Sequence, residues 1–149
     1  MSSQALERPI QKGGVPRRVS LLVGKLYNID EVSFLDNTTA PDETSTVEIL
    51  ALTSDGVDVI NGFKSSENVG NPLDIPVNIQ VKSIPYNQIV GMTKIFVNAD
   101  SSLNISFFTI HTTTGDIEIK PNRQNADFYD NNERQKEINE FYNLIKKRT

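Results

Sequence analysis

Apolar and polar residues alternate with a period of two in several segments between residues 46 and 120, most regularly over residues 73–82. This period is typical of β-strands with one face buried and the other in solvent. A separate signal is the dipeptide Asp55-Gly56, which has apolar segments on either side, Thr46–Leu52 and residues 57–60. Because Asp-Gly favours a tight turn, the pattern predicts a β-hairpin at this point.

The alternation continues after the hairpin and predicts further strands. Residues 73–81 carry an apolar side chain at every second position, and Pro76 places this strand at a sheet edge or at its own beginning. Upstream, residues 19–27 and 29–35 are rich in branched apolar residues and predict two closely joined strands. The remaining strands are expected over residues 92–97, 103–110 and 116–120, with turns at 84–89, 98–102 and 112–115.

After Pro121 the period changes from two to 3.6, which indicates a helix. We expect this helix over about residues 128–147, with its apolar stripe covering an open mouth or face of the sheet. The stripe occupies positions i, i+3, i+4 and i+7, namely Ile138, Phe141, Tyr142 and Ile145.

This order of elements predicts one domain that is mainly β, a β-barrel or sandwich of about seven antiparallel strands, with one C-terminal α-helix. A chain of 149 residues can bury a core of its own without a metal or a disulfide. Residues 1–17 are polar and include Gly13-Gly14 and two prolines, so we expect a flexible N-terminal arm. The domain is then expected to span residues 18–149.

Three segments resemble the bacterial pleckstrin-homology-like (PH-like) family. They are residues 47–60, where an apolar strand ends in Leu-Thr before a turn, the segment Ile84-Pro85-Tyr86-Asn87-Gln88-Ile89, and residues 109–119 with the helix that follows. The resemblance implies two sheets that close on each other and a C-terminal helix that plugs one end. It also implies a scaffold that binds protein segments or, in eukaryotic relatives, lipid headgroups, and not a catalyst.

Charge limits the classes of partner. The net charge of −4 argues against a nucleic-acid binder that neutralises phosphates. Lipid-headgroup binding would need several basic residues in and after the first strands, and only Lys25 lies there, so the sequence argues against it. Arg17 and Arg18 precede a predicted strand, either as a solvated strand entry or as a contact for a phosphate or an acidic partner. These three residues are the candidate partner contacts.

The inventory of reactive residues argues against catalysis. The chain has no cysteine and one histidine, which excludes disulfides, thiolate metal sites and pairs of imidazoles. His111 ends a predicted strand beside three threonines, where we expect an exposed or hydrogen-bonded histidine and not a general base. We therefore predict no catalytic residues, no metal site and no cofactor.

The expected function is a non-catalytic PH-like interaction module that binds a protein or peptide, for instance by lending a sheet edge to an incoming strand. The alternative is a structural subunit of a phage or other multi-protein particle that grips its neighbours through the N-terminal arm. Self-association stays open. Since the sequence shows neither an apolar leader nor a run long enough to span a bilayer, we expect no membrane insertion and a cytoplasmic location.

Overall fold

A computed structural model describes residue 6 and residues 14–38, 46–65, 76–97, 103–120 and 131–149. The described elements form two antiparallel sheets and two helices, which confirms a mainly β fold with a C-terminal helix. Sheet I has the order β1-β2-β3-β4 and sheet II the order β5-β6-β7, packed as a sandwich that is not a closed barrel. In chain order the elements are α1 (Gly14–Leu26), β1 (Ser33–Asp36), β2 (Thr46–Leu52), β3 (Gly56–Lys64), β4 (Val77–Pro85), a 3₁₀ turn (Tyr86–Gln88), β5 (Ile89–Ile95), β6 (Phe107–Thr112), β7 (Gly115–Ile119) and α2 (Asn131–Arg148).

Strand β2, one of the two central strands of sheet I, is buried on both faces. Val47, Ile49 and Ala51 of β2 join an apolar cluster with α1, whereas Leu50 and Leu52 join the core with sheet II and α2. The chain therefore forms three layers, with α1 on the outer face of sheet I, and sheet II together with α2 on its inner face. Burial of both faces explains why β2 is apolar at nearly every position.

The prediction of a strand over residues 19–27 is wrong, because this segment belongs to helix α1. Val15, Val19 and Val23 recur every fourth residue, and all three are buried against sheet I. This spacing places them on one face of a helix, where they cover the outer face of the sheet. Pro16 does not prevent the helix, since proline is tolerated in a first helical turn.

Helix α1 also shortens the expected flexible arm. The helix begins at Gly14, and Val15 and Pro16 are already buried, so residues 14–17 are part of the folded domain. The rest of the arm lies outside the described residues, apart from Leu6. That side chain is buried in the apolar cluster between α1 and sheet I.

The other strands follow the predictions with shifted ends. Strand β1 begins at Ser33 and β6 at Phe107, each later than expected, whereas β4 begins directly after Pro76, as the proline indicated. The predicted turn at residues 98–102 lies outside the described residues.

Helix α2 buries the predicted apolar stripe, since Ile138, Phe141 and Ile145 are fully buried and Tyr142 nearly so. The ring of Tyr142 meets that of Phe108 edge-on, with 5.3 Å between centroids. No helix in the described ranges is both long and apolar enough to cross a membrane.

The C-terminal end of α2 is attached to the turn between β2 and β3. The Arg148 guanidinium donates hydrogen bonds to the Thr53 carbonyl and the Tyr86 hydroxyl, both at 2.9 Å. The Tyr86 hydroxyl in turn donates to the same Thr53 carbonyl at 2.6 Å. These contacts fix the helix over the inner face of sheet I.

Side chains, and not a backbone ladder, join β1 of sheet I to β7 of sheet II. The buried guanidinium of Arg134 donates to the carbonyls of Asp36 at 2.7 Å and Lys120 at 3.1 Å. The Asn37 amide donates to the Glu118 carbonyl at 2.8 Å and accepts from the Lys120 N–H at 3.0 Å. We call this set of contacts the β1–β7 bridge.

The contact between α1 and β3 predicts the effect of Gly62→Ala. A Cβ on Gly62 would lie 2.6 Å from Cγ1 of Val19 and closer still to Cγ2, so α1 must shift. We expect the free energy of unfolding, measured by urea denaturation, to fall by about 1–3 kcal/mol, the usual cost of overpacking.

Gly24→Ala is the matched control. A Cβ on Gly24 meets nothing within 4 Å, so this substitution in α1 is expected to stabilise the protein by about 0.5–1 kcal/mol. Combining Gly62→Ala with Val19→Ala should relieve the overlap. Equal effects of the two glycine substitutions would show that α1 does not pack on Gly62 as described.

Candidate functional site

A cleft of about 700 Å³ opens between the inner face of sheet I and strand β7. This volume is within the range of ligand sites in proteins, roughly 300–1,000 Å³. Strands β2, β3 and β4 form its floor, and residues Asp116 to Glu118 of β7 form one wall. Asn37 of the β1–β7 bridge lies at one end of that wall. We call this space the cleft.

The floor of the cleft changes from apolar to polar along sheet I. The strand register aligns Leu52, Val57 and Ile84 in the core, and two rows further along it aligns Glu48, Asn61 and Gln80. A carboxylate and two amides thus occupy an inner face that would ordinarily be apolar in a sandwich. Sequence reasoning missed this polar row, because it depends on how three strands are aligned.

Glu48 is the ionisable group of this row. Its Oε2 accepts a hydrogen bond from Asn37 Nδ2 at 2.6 Å. Burial raises the pKa of the Glu48 carboxyl, and the charge of Asp36 adds to the rise, while the Asn37 hydrogen bond and the charge of Lys120 oppose it. Burial has the largest effect on this pKa, so either protonation or an additional cation nearby would relieve the cost of the buried charge.

Strand β7 presents a backbone edge to the cleft, because within the described strands it pairs only with β6. Asn37 already occupies part of this edge, bridging the Glu118 carbonyl and the Lys120 N–H. A residue of a parallel strand would bridge the same two groups. Backbone groups alternate in direction along a strand, so Asp116 C=O and Glu118 N–H also point to this edge. They form the preceding pair of groups that a residue of a parallel strand would bridge.

A row of three polar side chains crosses the outer face of sheet II. Thr93 Oγ1 lies 2.7 Å from His111 Nε2, and His111 Nδ1 lies 2.9 Å from Asp116 Oδ1. This order matches the hydrogen bonds of a nucleophile, base and carboxylate triad. The expectation of an exposed or hydrogen-bonded histidine is confirmed, with 36% of the His111 side chain and 57% of that of Asp116 exposed.

Thr93 and Asp116 were not singled out from the sequence. The turn at Gly115 places Asp116 directly opposite His111, so the hairpin register could have identified that pair. Among the described residues, no group of three or more potential ligands is arranged to hold a metal ion.

The predicted partner contacts Arg17, Arg18 and Lys25 all lie on α1, and not at the entry of a strand. Arg18 and Lys25 are seven residues apart and therefore share one helix face, and Arg17 and Arg18 are half-buried while Lys25 is exposed. Helix α1 has no acidic residue. None of the three basic residues lines the cleft, so they are separate from the polar row on its floor, which consists of Glu48, Asn61 and Gln80.

The raised pKa of Glu48 predicts how Glu48→Gln changes stability with pH. A raised pKa in the folded state favours the protonated acid, so the contribution of Glu48 is greatest below the unfolded pKa of about 4.3 and is lost as pH rises through the folded value. Glutamine keeps an oxygen for Asn37 without a charge to desolvate. We expect Glu48→Gln to be more stable than the parent protein at pH 7 in urea denaturation, with the difference vanishing near the unfolded pKa.

Glu31→Gln provides the control, because Glu31 is exposed in a turn. It should show no comparable gain at pH 7. A Glu48→Gln difference that stays constant between acid and neutral pH would contradict the burial of this carboxylate.

Comparison with protein-family models, with curated proteins and with solved structures finds no match. The cleft, the β7 edge and the polar row are therefore the basis on which a function is assigned.

Proposed function

We propose that this protein is a non-catalytic interaction module that binds an extended segment of a protein or peptide on the β7 edge, inside the cleft. The observation that carries the proposal is the Asn37 amide, which bonds to Glu118 and Lys120 as a neighbouring strand would. The order of four strands, three strands and a terminal helix supports assignment to the PH-like family.

Strand addition suits the geometry of the cleft. An incoming strand gains main-chain hydrogen bonds from the sheet edge, and its side chains point alternately to either side. One set of side chains would enter the cleft and reach the floor formed by sheet I. Main-chain pairing would supply affinity, and the lining of the cleft would supply selectivity.

The β7 edge suits this role better than the edges of β4 and β5. Strand β4 is preceded by Pro76, ends at Pro85 and carries the exposed Lys82, and prolines and lysines hinder pairing along an edge. Strand β5 has an irregular register between Ile89 and Gly91. Such a shift bends a strand and interrupts regular pairing.

We propose a structural role for the Thr93, His111 and Asp116 row. Acyl transfer depends on hydrogen-bond donors that are preorganised in a site from which water is excluded. This row lies on the outer face of sheet II, where more than a third of the His111 side chain is exposed. In such surroundings the three side chains act as cross-strand polar pairs that stabilise the sheet.

Removal of one edge N–H tests strand addition. Peptides selected from a random heptapeptide phage library with the wild-type protein should bind Glu118→Pro about tenfold more weakly or worse, since proline removes the edge donor and obstructs the incoming strand. The Glu118 N–H points away from β6, so the pairing of β6 and β7 should survive. Binding is measured by calorimetry and folding by circular dichroism.

Glu118→Ala is the matched control, because it removes the same side chain and keeps the N–H. We expect Glu118→Ala to bind the selected peptides at least about tenfold more tightly than Glu118→Pro. Unchanged affinity of a folded Glu118→Pro protein, or a library that yields no peptide, would refute binding at the β7 edge.

Ester hydrolysis tests the non-catalytic part of the proposal. We expect the wild-type protein to hydrolyse p-nitrophenyl acetate no faster than an equal concentration of free imidazole, because the His111 side chain is partly exposed and the row is not enclosed. Release of p-nitrophenolate is followed by absorbance. Turnover above that of free imidazole that disappears in both His111→Ala and Thr93→Val would instead establish this row as catalytic.

A further inference from the structure

We propose that the segment bound in the cleft carries a lysine or arginine side chain that pairs with Glu48. This inference rests on the proposed function and specifies the chemistry of the partner. It derives from the polar row on the floor, from the charges around that row, and from the apolar surface beside it.

The polar row offers acceptors to a cation. Glu48, Asn61 and Gln80 lie side by side across three strands on the floor of the cleft. Their carboxylate and amide oxygens are the acceptors that an ammonium or guanidinium group needs for its several N–H donors. Placing a carboxylate in this partly buried position is costly unless it is paired, and a cationic side chain from the partner would supply the pairing.

The charged groups around Glu48 still favour an additional cation beside its carboxylate. The Lys120 ammonium lies 2.8 Å from Glu118 Oε2, so its charge is already shared with another carboxylate. Asp36 adds negative charge near Glu48. Lys82 also lines the cleft, but it lies on β4, two strands from β2. Its backbone is therefore roughly 10 Å across the sheet from the backbone of Glu48. The charge at Glu48 therefore favours a basic side chain over an acidic one.

The floor also suits the aliphatic part of a long basic side chain. Phe63 lies on the same face of β3 as Asn61 and lines the cleft. Lysine and arginine place their methylene groups along apolar surface while the charged end reaches a polar partner. A guanidinium can in addition lie on an aromatic ring while it binds a carboxylate. The chemistry therefore fits a basic side chain inserted between Phe63 and the polar row.

Peptide selection with paired variants tests this inference. Random heptapeptides are selected on the wild-type protein and separately on Glu48→Gln, which keeps the shape and the acceptor for Asn37. We expect lysine or arginine to be enriched at one fixed peptide position with the wild type and not with Glu48→Gln. Asp55→Asn neutralises a carboxylate in the turn between β2 and β3, which does not line the cleft, and should keep the wild-type preference.

Affinities of one selected peptide then measure the pair itself. Replacing its basic residue by citrulline, which is neutral, should weaken binding to the wild type at least about tenfold, as expected for a charge-assisted hydrogen bond. The same replacement should change binding to Glu48→Gln by less than about twofold, because the partner charge is already absent. Both affinities are measured by calorimetry.

The possible outcomes separate this inference from the proposed function. If selected peptides lack a basic preference and Glu118→Pro still abolishes their binding, the pairing with Glu48 is refuted and binding at the β7 edge stands. Enrichment of acidic residues also refutes the pairing and points to Lys82 as the selective group. Selection of no peptide at all refutes both proposals.

Discussion

The buried guanidinium of Arg134 is the constraint on which the arrangement of the two sheets depends. It donates to the Asp36 carbonyl at the end of β1 and to the Lys120 carbonyl just after β7. A buried cation that loses its acceptors is strongly destabilising, so α2 is held where these two carbonyls converge. The apolar stripe of α2 adds the burial energy, but an apolar stripe can slide along a core. The directed hydrogen bonds of Arg134 fix the position.

The same β1–β7 bridge explains why the sandwich leaves a cleft open. A backbone ladder between β1 and β7 would pair the two strands along their length, whereas the Asn37 amide spans a single repeat, from Glu118 to Lys120. Beyond that repeat the sheets separate, and the β7 edge faces the polar row of sheet I. The cleft and its available edge therefore have one physical origin, which is the replacement of a ladder by a short side-chain bridge.

Local signals were sufficient for two elements. The hairpin at Gly56 was predicted from the Asp-Gly turn between two apolar segments, and the stripe of α2 from a period of 3.6 over several residues. Helix α1 was missed because valines and leucines in residues 19–27 suit a buried strand as well as a helix. The decisive signal is the four-residue spacing of Val15, Val19 and Val23, which begins before that segment and includes Pro16 in its first turn. Interpreting 1–17 as a separate arm concealed it.

The candidate site was not predictable for a different reason. Glu48 is visible in the sequence as an acid within an apolar strand, but both neighbouring faces of β2 are buried, so alternation alone cannot say which layer it meets. That assignment requires α1, which covers the face of Val47 and leaves Glu48 on the side of sheet II. The hydrogen bond from Asn37 to Glu118 joins residues that are 81 positions apart, so no local periodicity predicts it. A polar residue that interrupts a strand buried on both faces is therefore the sequence signal of this site, and its meaning follows only from the packing of α1.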